Sequence, residues 1–170
     1  MTATISSPFD PLDYQIIQQL RQDGRLSASQ VARRLKANER TIRKRIDRLI
    51  ELGAIRCAVI IEPKAFGYGI SVDIFLEIAP SLENQIIDQL LGMPEISYLA
   101  YGQGSNDLSI EARFKDSEAM YTFLRQKLPA IAGLIVKGYA LVPRILRNID
   151  EWMPPPLDFG VKPADMSKSN

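Results

Sequence analysis

Residues 25–52, RLSASQVARRLKANERTIRKRIDRLIEL, constrain this chain more than any other stretch. Apolar residues recur there at helical spacing in two short runs: Val31, Ala32 and Leu35, then Ile42, Ile46, Leu49 and Ile50. Ser27-Ala28-Ser29-Gln30 is a capping-box pattern that opens the first run. Asn38 is placed to cap a helix from Glu39 to Leu52, and Gly53 to end it. Upstream, Asp10-Pro11 with Asp13 marks a third helix start, Leu12, Ile16, Ile17 and Leu20 continue it, and Asp23-Gly24 stops it. Three helices with a turn of about three residues between the last two make a helix-turn-helix. Nine basic residues crowd the stretch (Arg25, Arg33, Arg34, Lys36, Arg40, Arg43, Lys44, Arg45 and Arg48) against Glu39, Asp47 and Glu51. From Ala54 onward, 11 basic residues face 14 acidic ones. The near-neutral total of +1 therefore hides a basic head on a mildly acidic body, the charge layout of a small two-part nucleic-acid binder.

The rest of the composition works mainly by exclusion. A length of 170 residues allows one sizeable core or two small ones. No apolar run approaches the roughly 18 residues of a membrane-spanning helix. The opening MTATISSPFD lacks the basic start and apolar stretch of a secretory signal. The single Cys57 permits no internal disulfide and fits a reducing cytoplasm, and its apolar neighbours suggest a packed thiol. The chain has no histidine, which excludes imidazole-based zinc sites, Ser-His-Asp triads and Cys-His pairs. No paired carboxylate or lysine motif points to catalysis, so no metal, cofactor or enzymatic activity is expected.

Beyond the head, Ile55 to Ile61 is a β-branched apolar run that predicts a linking strand. The pattern then reads strand (71–78), helix (82–91), strand (96–101), strand (108–114), helix (117–128) and strand (135–142), with Ser81 and Asp116 as caps. That order is the ferredoxin-like βαββαβ arrangement. The expected fold class is α+β. Its divisions are a helix-turn-helix (winged-helix-like) domain over 1–54, a linking strand or hinge over 55–66, a ferredoxin-like domain over 67–148, and a proline-rich tail over 149–170. The tail is expected to behave as a loose linker, disordered beyond about Phe159, although Trp152 and Phe159 offer anchors for docking on the body or a partner subunit.

Three motifs carry a family resemblance covering roughly Leu12 to Val142. Leu12-Asp13, Ile16-Ile17-Gln18-Gln19-Leu20 and Asp23-Gly24-Arg25 form the first. Thr41-Ile42-Arg43-Lys44-Arg45-Ile46-Asp47-Arg48-Leu49 with Gly53-Ala54-Ile55 is the second, and Gly104-Ser105-Asn106-Asp107-Leu108 the third. In this order and spacing the chain resembles the Lrp/AsnC family of bacterial and archaeal transcription regulators. The resemblance implies a head that binds double-stranded DNA and a C-terminal domain that forms a homodimer and higher homo-oligomers, octamers among them. It also implies an amino-acid effector held near the Gly-x-x-Asp loop. The sequence departs from the family pattern at Gly102, a second glycine before that loop, and at Val136 and Gly138, where threonines are often found.

With Ile42, Ile46 and Leu49 turned inward, about 100° per residue puts Arg40, Thr41, Lys44 and Arg48 on the opposite face. The N-terminal part of a recognition helix enters the major groove, making Glu39, Arg40, Thr41, Arg43 and Lys44 candidates for base edges. Arg and Lys favour guanine O6 and N7, while Glu39 would accept from a cytosine amino group. Ser27, Ser29, Arg33, Arg34 and Arg48 are the candidates for phosphates. Arg45 stands between a DNA role and pairing with Asp47 or Glu51. The bland alternative is a solvated basic surface; the caps, the short turn and the lopsided charge argue against it. For an effector, Gly102 and Gly104 allow close backbone approach and Asp107 would accept from an ammonium group; the same residues also suit a plain turn between strands. Two competing functions are an architectural DNA-compacting protein of low sequence specificity and, more remotely, a sirohaem-decarboxylase-like enzyme, whose sites generally lean on the histidine this chain lacks.

Overall fold

Asp10 opens the first helix as the sequence pattern requires. Its side chain accepts from the backbone N–H groups of Leu12 and Asp13, and the Asp13 carboxylate reaches back to the Asp10 N–H, a reciprocal capping box. This helix, α1, spans Pro11–Gln22; α2 spans Ala28–Leu35 and α3 spans Glu39–Glu51. The computed structural model describes residues 8–102 and 107–161. The chain divides into two units, one running to Val59 and resuming at Ile149, the other Ile60–Asn148.

In the first unit, Ile16, Leu26, Val31, Ala32, Ile42 and Leu49 form a buried cluster among the three helices. Ile50, expected in this stripe, is exposed. Eight residues after Ile42, α3 has turned about 80° away from the core direction. The turn between α2 and α3 is closed by Lys36, whose backbone is left-handed (φ 51°, ψ 41°).

In the second unit, β1 (Ile70–Ile78), α4 (Glu83–Leu91), β2 (Ile96–Tyr101), β3 (Leu108–Phe114), α5 (Ser117–Thr122) and β4 (Leu134–Leu141) follow in the ferredoxin-like order. The sheet order is β2-β3-β1-β4, with every neighbouring pair antiparallel. The alternation read along β1 has its physical meaning here: Val72, Ile74, Leu76 and Ile78 are buried, while Ser71, Asp73, Phe75 and Glu77 point to the other face. Ile86, Leu90, Met120, Phe123, Leu124 and Leu128 supply the helical side of that core. The expected continuous helix to Leu128 is instead α5, a π-type turn at Phe123–Lys127 and a 3-10 turn at Leu128–Ala130. The wider turn keeps both Phe123 and Leu124 inward before Pro129 ends the helical path.

Two expectations are corrected. Residues 55–61 form no strand within the chain, and Val59, Ile60 and Ile61 are exposed. A strand exists only where a neighbour completes its hydrogen bonds, and none among the described residues pairs with this run. Cys57 is accordingly exposed rather than packed. The second correction concerns the tail: residues 149–161 belong to the first unit, and Phe159 is only 3% exposed, against the side of α1. Residues 162–170 lie outside the described part. No helix among the described residues is long and apolar enough to cross a membrane.

Candidate nucleic-acid interface

The N-terminus of α3 is the chemical centre of the first unit. Asn38 caps it, its Oδ1 accepting from the N–H groups of Arg40 (2.9 Å) and Thr41 (3.4 Å). The cap fixes where the helix begins, and therefore which residues fall on its outer side. Asn38, Arg40, Thr41, Lys44, Arg45 and Arg48 together line an open trough of about 320 Å³. Arg40, Thr41 and Lys44 are exposed, and neither Arg40 nor Lys44 has an intramolecular partner among the described residues. Unpaired cations beside the positive end of a helix dipole make a surface with a strong preference for anions. The other residues proposed for base edges, Glu39 and Arg43, pair with each other across one turn at 2.8 Å. Both are exposed, and such pairs are worth about 0.3–0.5 kcal/mol, so a stronger partner displaces them readily.

The residues expected at phosphates are spread over α2 and its cap. Ser27 holds the start of α2, with Oγ donating to Gln30 Oε1 (2.9 Å) and accepting from the Gln30 N–H (3.3 Å). Ser29 Oγ lies 3.0 Å from Ser27 Oγ. Arg33 is exposed, whereas Arg34 donates to Gln19 Oε1 at 3.2 Å and so ties α2 to α1.

Arg48 and Arg45 have a further task. Arg45 Nη1 contacts Asp10 Oδ2 at 2.6 Å and Asp13 Oδ1 at 3.0 Å; Arg48 Nη1 lies 3.4 Å from Asp13 Oδ2, and its Nη2 donates to the Pro8 carbonyl. Asp13 is fully buried. Arg45 thus turns to the start of α1, not to Asp47 or Glu51, and Arg48 is held internally at the edge of the trough. Burial opposes ionisation of Asp10, but the Arg45 guanidinium and the N–H groups of Asp13 and Leu12 outweigh it, holding the carboxyl below its ordinary range. Hydrogen bonds to Asp10 and then Asp13 raise Arg45 correspondingly. Sequence reasoning assigned Asn38 only to capping and missed that it also lines the trough; its position two residues before Arg40 was the available signal.

The second expected site, the loop before β3, is described at its two ends. Gly102 donates its N–H to the Asp107 carbonyl at 2.7 Å. Asp107 donates its own N–H to the Leu76 carbonyl at 2.9 Å, and its Oδ2 accepts from the Ile78 N–H at 2.8 Å. Asp107 is therefore tied by both its backbone and its side chain to the end of β1. Nearby on the same unit, the Tyr101 hydroxyl donates to Glu83 Oε2 at 2.6 Å, and this bond raises the tyrosine above its usual range. Gly104 lies outside the described residues.

Comparison with known proteins agrees with this geometry. Residues 9–56 match the family described as winged helix-turn-helix DNA-binding. The protein named uncharacterized HTH-type transcriptional regulator PH0140, from Pyrococcus horikoshii, is 31% identical over 144 residues, covering 84% of this chain and 89% of that protein. The solved structure of E. coli AsnC is similar with a TM-score of 0.73 at 22% identity, over 84% of this chain and 98% of that one. The transcriptional regulator NMB0573 from Neisseria meningitidis, solved as an L-Met complex, is similar with a TM-score of 0.74 at 21% identity, over 82% and 93%. Both structures share the fold.

Proposed function

Because the chain belongs to the Lrp/AsnC family of transcription regulators, we propose that its first unit reads duplex DNA with sequence preference through the N-terminal half of α3. The observation that carries this reading is the capped helix start with Arg40, Thr41 and Lys44 exposed around an open, cation-lined trough. Arg40, Thr41 and Lys44 reach base edges, with Glu39 and Arg43 joining once their mutual pair opens. Ser27, Ser29, Arg33 and Arg34 contact phosphates and set the register. Arg48 shares its guanidinium between Asp13 and the DNA backbone.

The chain works as a homodimer or higher homo-oligomer in this reading. Support comes from the second unit's sheet, whose helix-free face leaves Phe75 and Ile135 in solvent, and from the unladdered apolar run Val59-Ile60-Ile61. Exposed apolar area of this kind calls for a partner surface. A two-fold dimer would address half-sites about one helical turn apart, or a multiple of that. An amino acid or related small molecule modulates binding at the loop that ends in Asp107. The L-Met complex of NMB0573 supports this by analogy, and Gly102 next to Asp107 supports it by the chemistry of backbone N–H groups and a carboxylate.

Capture of genomic fragments on the purified protein at physiological salt, with and without pooled amino acids, tests the reading. A few enriched sites with regularly spaced half-sites, shifted by amino acids, are the expected outcome. Uniform retention would replace it with a low-specificity architectural role, and no retention would overturn DNA binding.

A further inference from the structure

The segment after Asn148 makes specific contacts at both ends of α1. At the C-terminal end, Arg21 donates from Nη2 to the Glu151 carbonyl at 2.6 Å and from Nη1 to Met153 Sδ at 3.4 Å. At the N-terminal end, the Phe159 ring lies edge-on 5.2 Å from Tyr14 and tilted 6.0 Å from Phe9. The segment therefore runs antiparallel along the helix. A 3-10 turn, Pro156–Phe159, delivers the phenylalanine, and Gly160 closes it with left-handed backbone (φ 69°) that suits glycine. Gly160 N–H donates to the Leu157 carbonyl and Val161 N–H to the Pro156 carbonyl, so the turn is satisfied internally. Pro154, Pro155 and Pro156 restrict the free segment, which lowers the entropy lost on docking.

We infer that the segment 149–161 is a built-in strap on α1, and that the DNA-reading face depends on its being docked. Phe9 precedes Asp10 and Tyr14 follows Asp13, so the aromatic trio grips the stretch whose carboxylates hold Arg45 and Arg48 of α3. Release of Phe159 loosens that stretch, and with it the placement of α3. The strap is also continuous with β4, an edge strand of the second unit. The inference rests on the DNA-binding reading given above.

Trp152, the one tryptophan of the chain, lies in the strap and reports its state. The experiment compares the full chain with Phe159→Ala, Phe159→Leu and a chain ending at Asn148, using Trp152 anisotropy where present and binding to a mixed-sequence DNA duplex at low salt. Circular dichroism confirms that each variant is folded at the assay temperature. Phe159→Ala is expected to lower Trp152 anisotropy and weaken duplex binding about tenfold, a change of about 1.4 kcal/mol. Phe159→Leu should recover most of both, and a synthetic peptide of residues 149–161 should restore binding to the shortened chain. Unchanged anisotropy in Phe159→Ala overturns the docked strap. Lowered anisotropy with unchanged affinity and salt dependence overturns its link to DNA reading. Absence of duplex binding by the full chain overturns the DNA-binding reading itself, whatever Trp152 reports.

Discussion

Arg45 of α3 donates to the fully buried carboxylate of Asp13 at 3.0 Å, and the same carboxylate closes the capping box of α1. One side chain thus sets where α1 begins and where α3 lies against it. Removing one partner of a buried pair costs more than the pair gains, because the other partner is left without compensation. Arg45 and Arg48 keep about a third of their side-chain surface in water, which moderates that cost.

Asp13→Ala is therefore expected to destabilise the first unit by about 2 kcal/mol, combining loss of the reciprocal half of the capping box with loss of the buried carboxylate shared by Arg45, which keeps Asp10, and Arg48, which keeps the Pro8 carbonyl. Urea unfolding followed by circular dichroism measures it. A change within a few tenths of a kcal/mol would show that the ion cluster has no part in holding the helices together.

Acid should act on the same cluster through Asp10. Its folded-state pKa is depressed below 3.8, so its contribution is fully present above that value and disappears as pH falls through the lower, folded value. The difference in stability between the natural chain and Asp10→Asn is expected to be constant from neutral pH down to about 4 and to shrink below it. A difference that vanishes already near pH 6 contradicts this origin.

Asp73 behaves in the opposite sense. It faces Glu111 across the β1–β3 ladder on the helix-free side of the sheet, where Ser71 and Arg113 both bond to Glu111. Burial first, then the Glu111 charge, raises its carboxyl above 3.8. A raised pKa means that ionisation penalises the folded state as pH climbs through 3.8 toward the folded value, and fully above it. Asp73→Asn should therefore raise the melting temperature at neutral pH and leave it unchanged well below pH 3.8. A lower melting temperature at neutral pH would rule this out.

Lys36 occupies left-handed backbone that costs a residue with a Cβ roughly 1 kcal/mol. Lys36→Gly is expected to be neutral or stabilising by up to about 1 kcal/mol despite the added freedom of the unfolded chain. Lys36→Val, branched at Cβ, should destabilise. Thermal unfolding of the two variants side by side tests the pair.

Arg40→Ala with Lys44→Ala removes the two cations of the trough that have no partner among the described residues. Affinity for duplex DNA should fall, and the slope of log K against log salt should flatten by about 0.9 for each phosphate no longer neutralised. If the two side chains read base edges instead, their removal narrows the gap between preferred and non-preferred sequences. Unchanged affinity and slope would remove α3 as the reading element.

Local chemistry is what made the elements legible. Asp10, Ser27, Asn38 and Asp116 are caps because a short side-chain acceptor beside free N–H groups has the same effect wherever it occurs. The alternation of β1 and the stripe of α3 follow from fixed residue spacing, and ordering these periods along the chain yields the βαββαβ arrangement. The basic face of α3 was legible for the same reason. Arg48 shows the limit of that logic: helical spacing turns it outward, yet a carboxylate 35 residues earlier holds it.

Two features depended wholly on distant partners. The run 55–61 has the composition of a strand but no pairing neighbour among the described residues, so propensity alone left it without a ladder. Phe159 stands among prolines in a stretch with the composition of a linker, and only the aromatic gap between Phe9 and Tyr14 makes it an anchor. The three helices of the first unit, the four strands of the sheet and the sign of the charge on α3 could be read from the sequence, since these arise from residues a few positions apart; the strand at 55–61 and an unbroken helix to Leu128 could not. The tertiary structure decided which arginines remain available and where the tail goes, because both depend on groups that meet only when chain segments 30 to 150 residues apart come together.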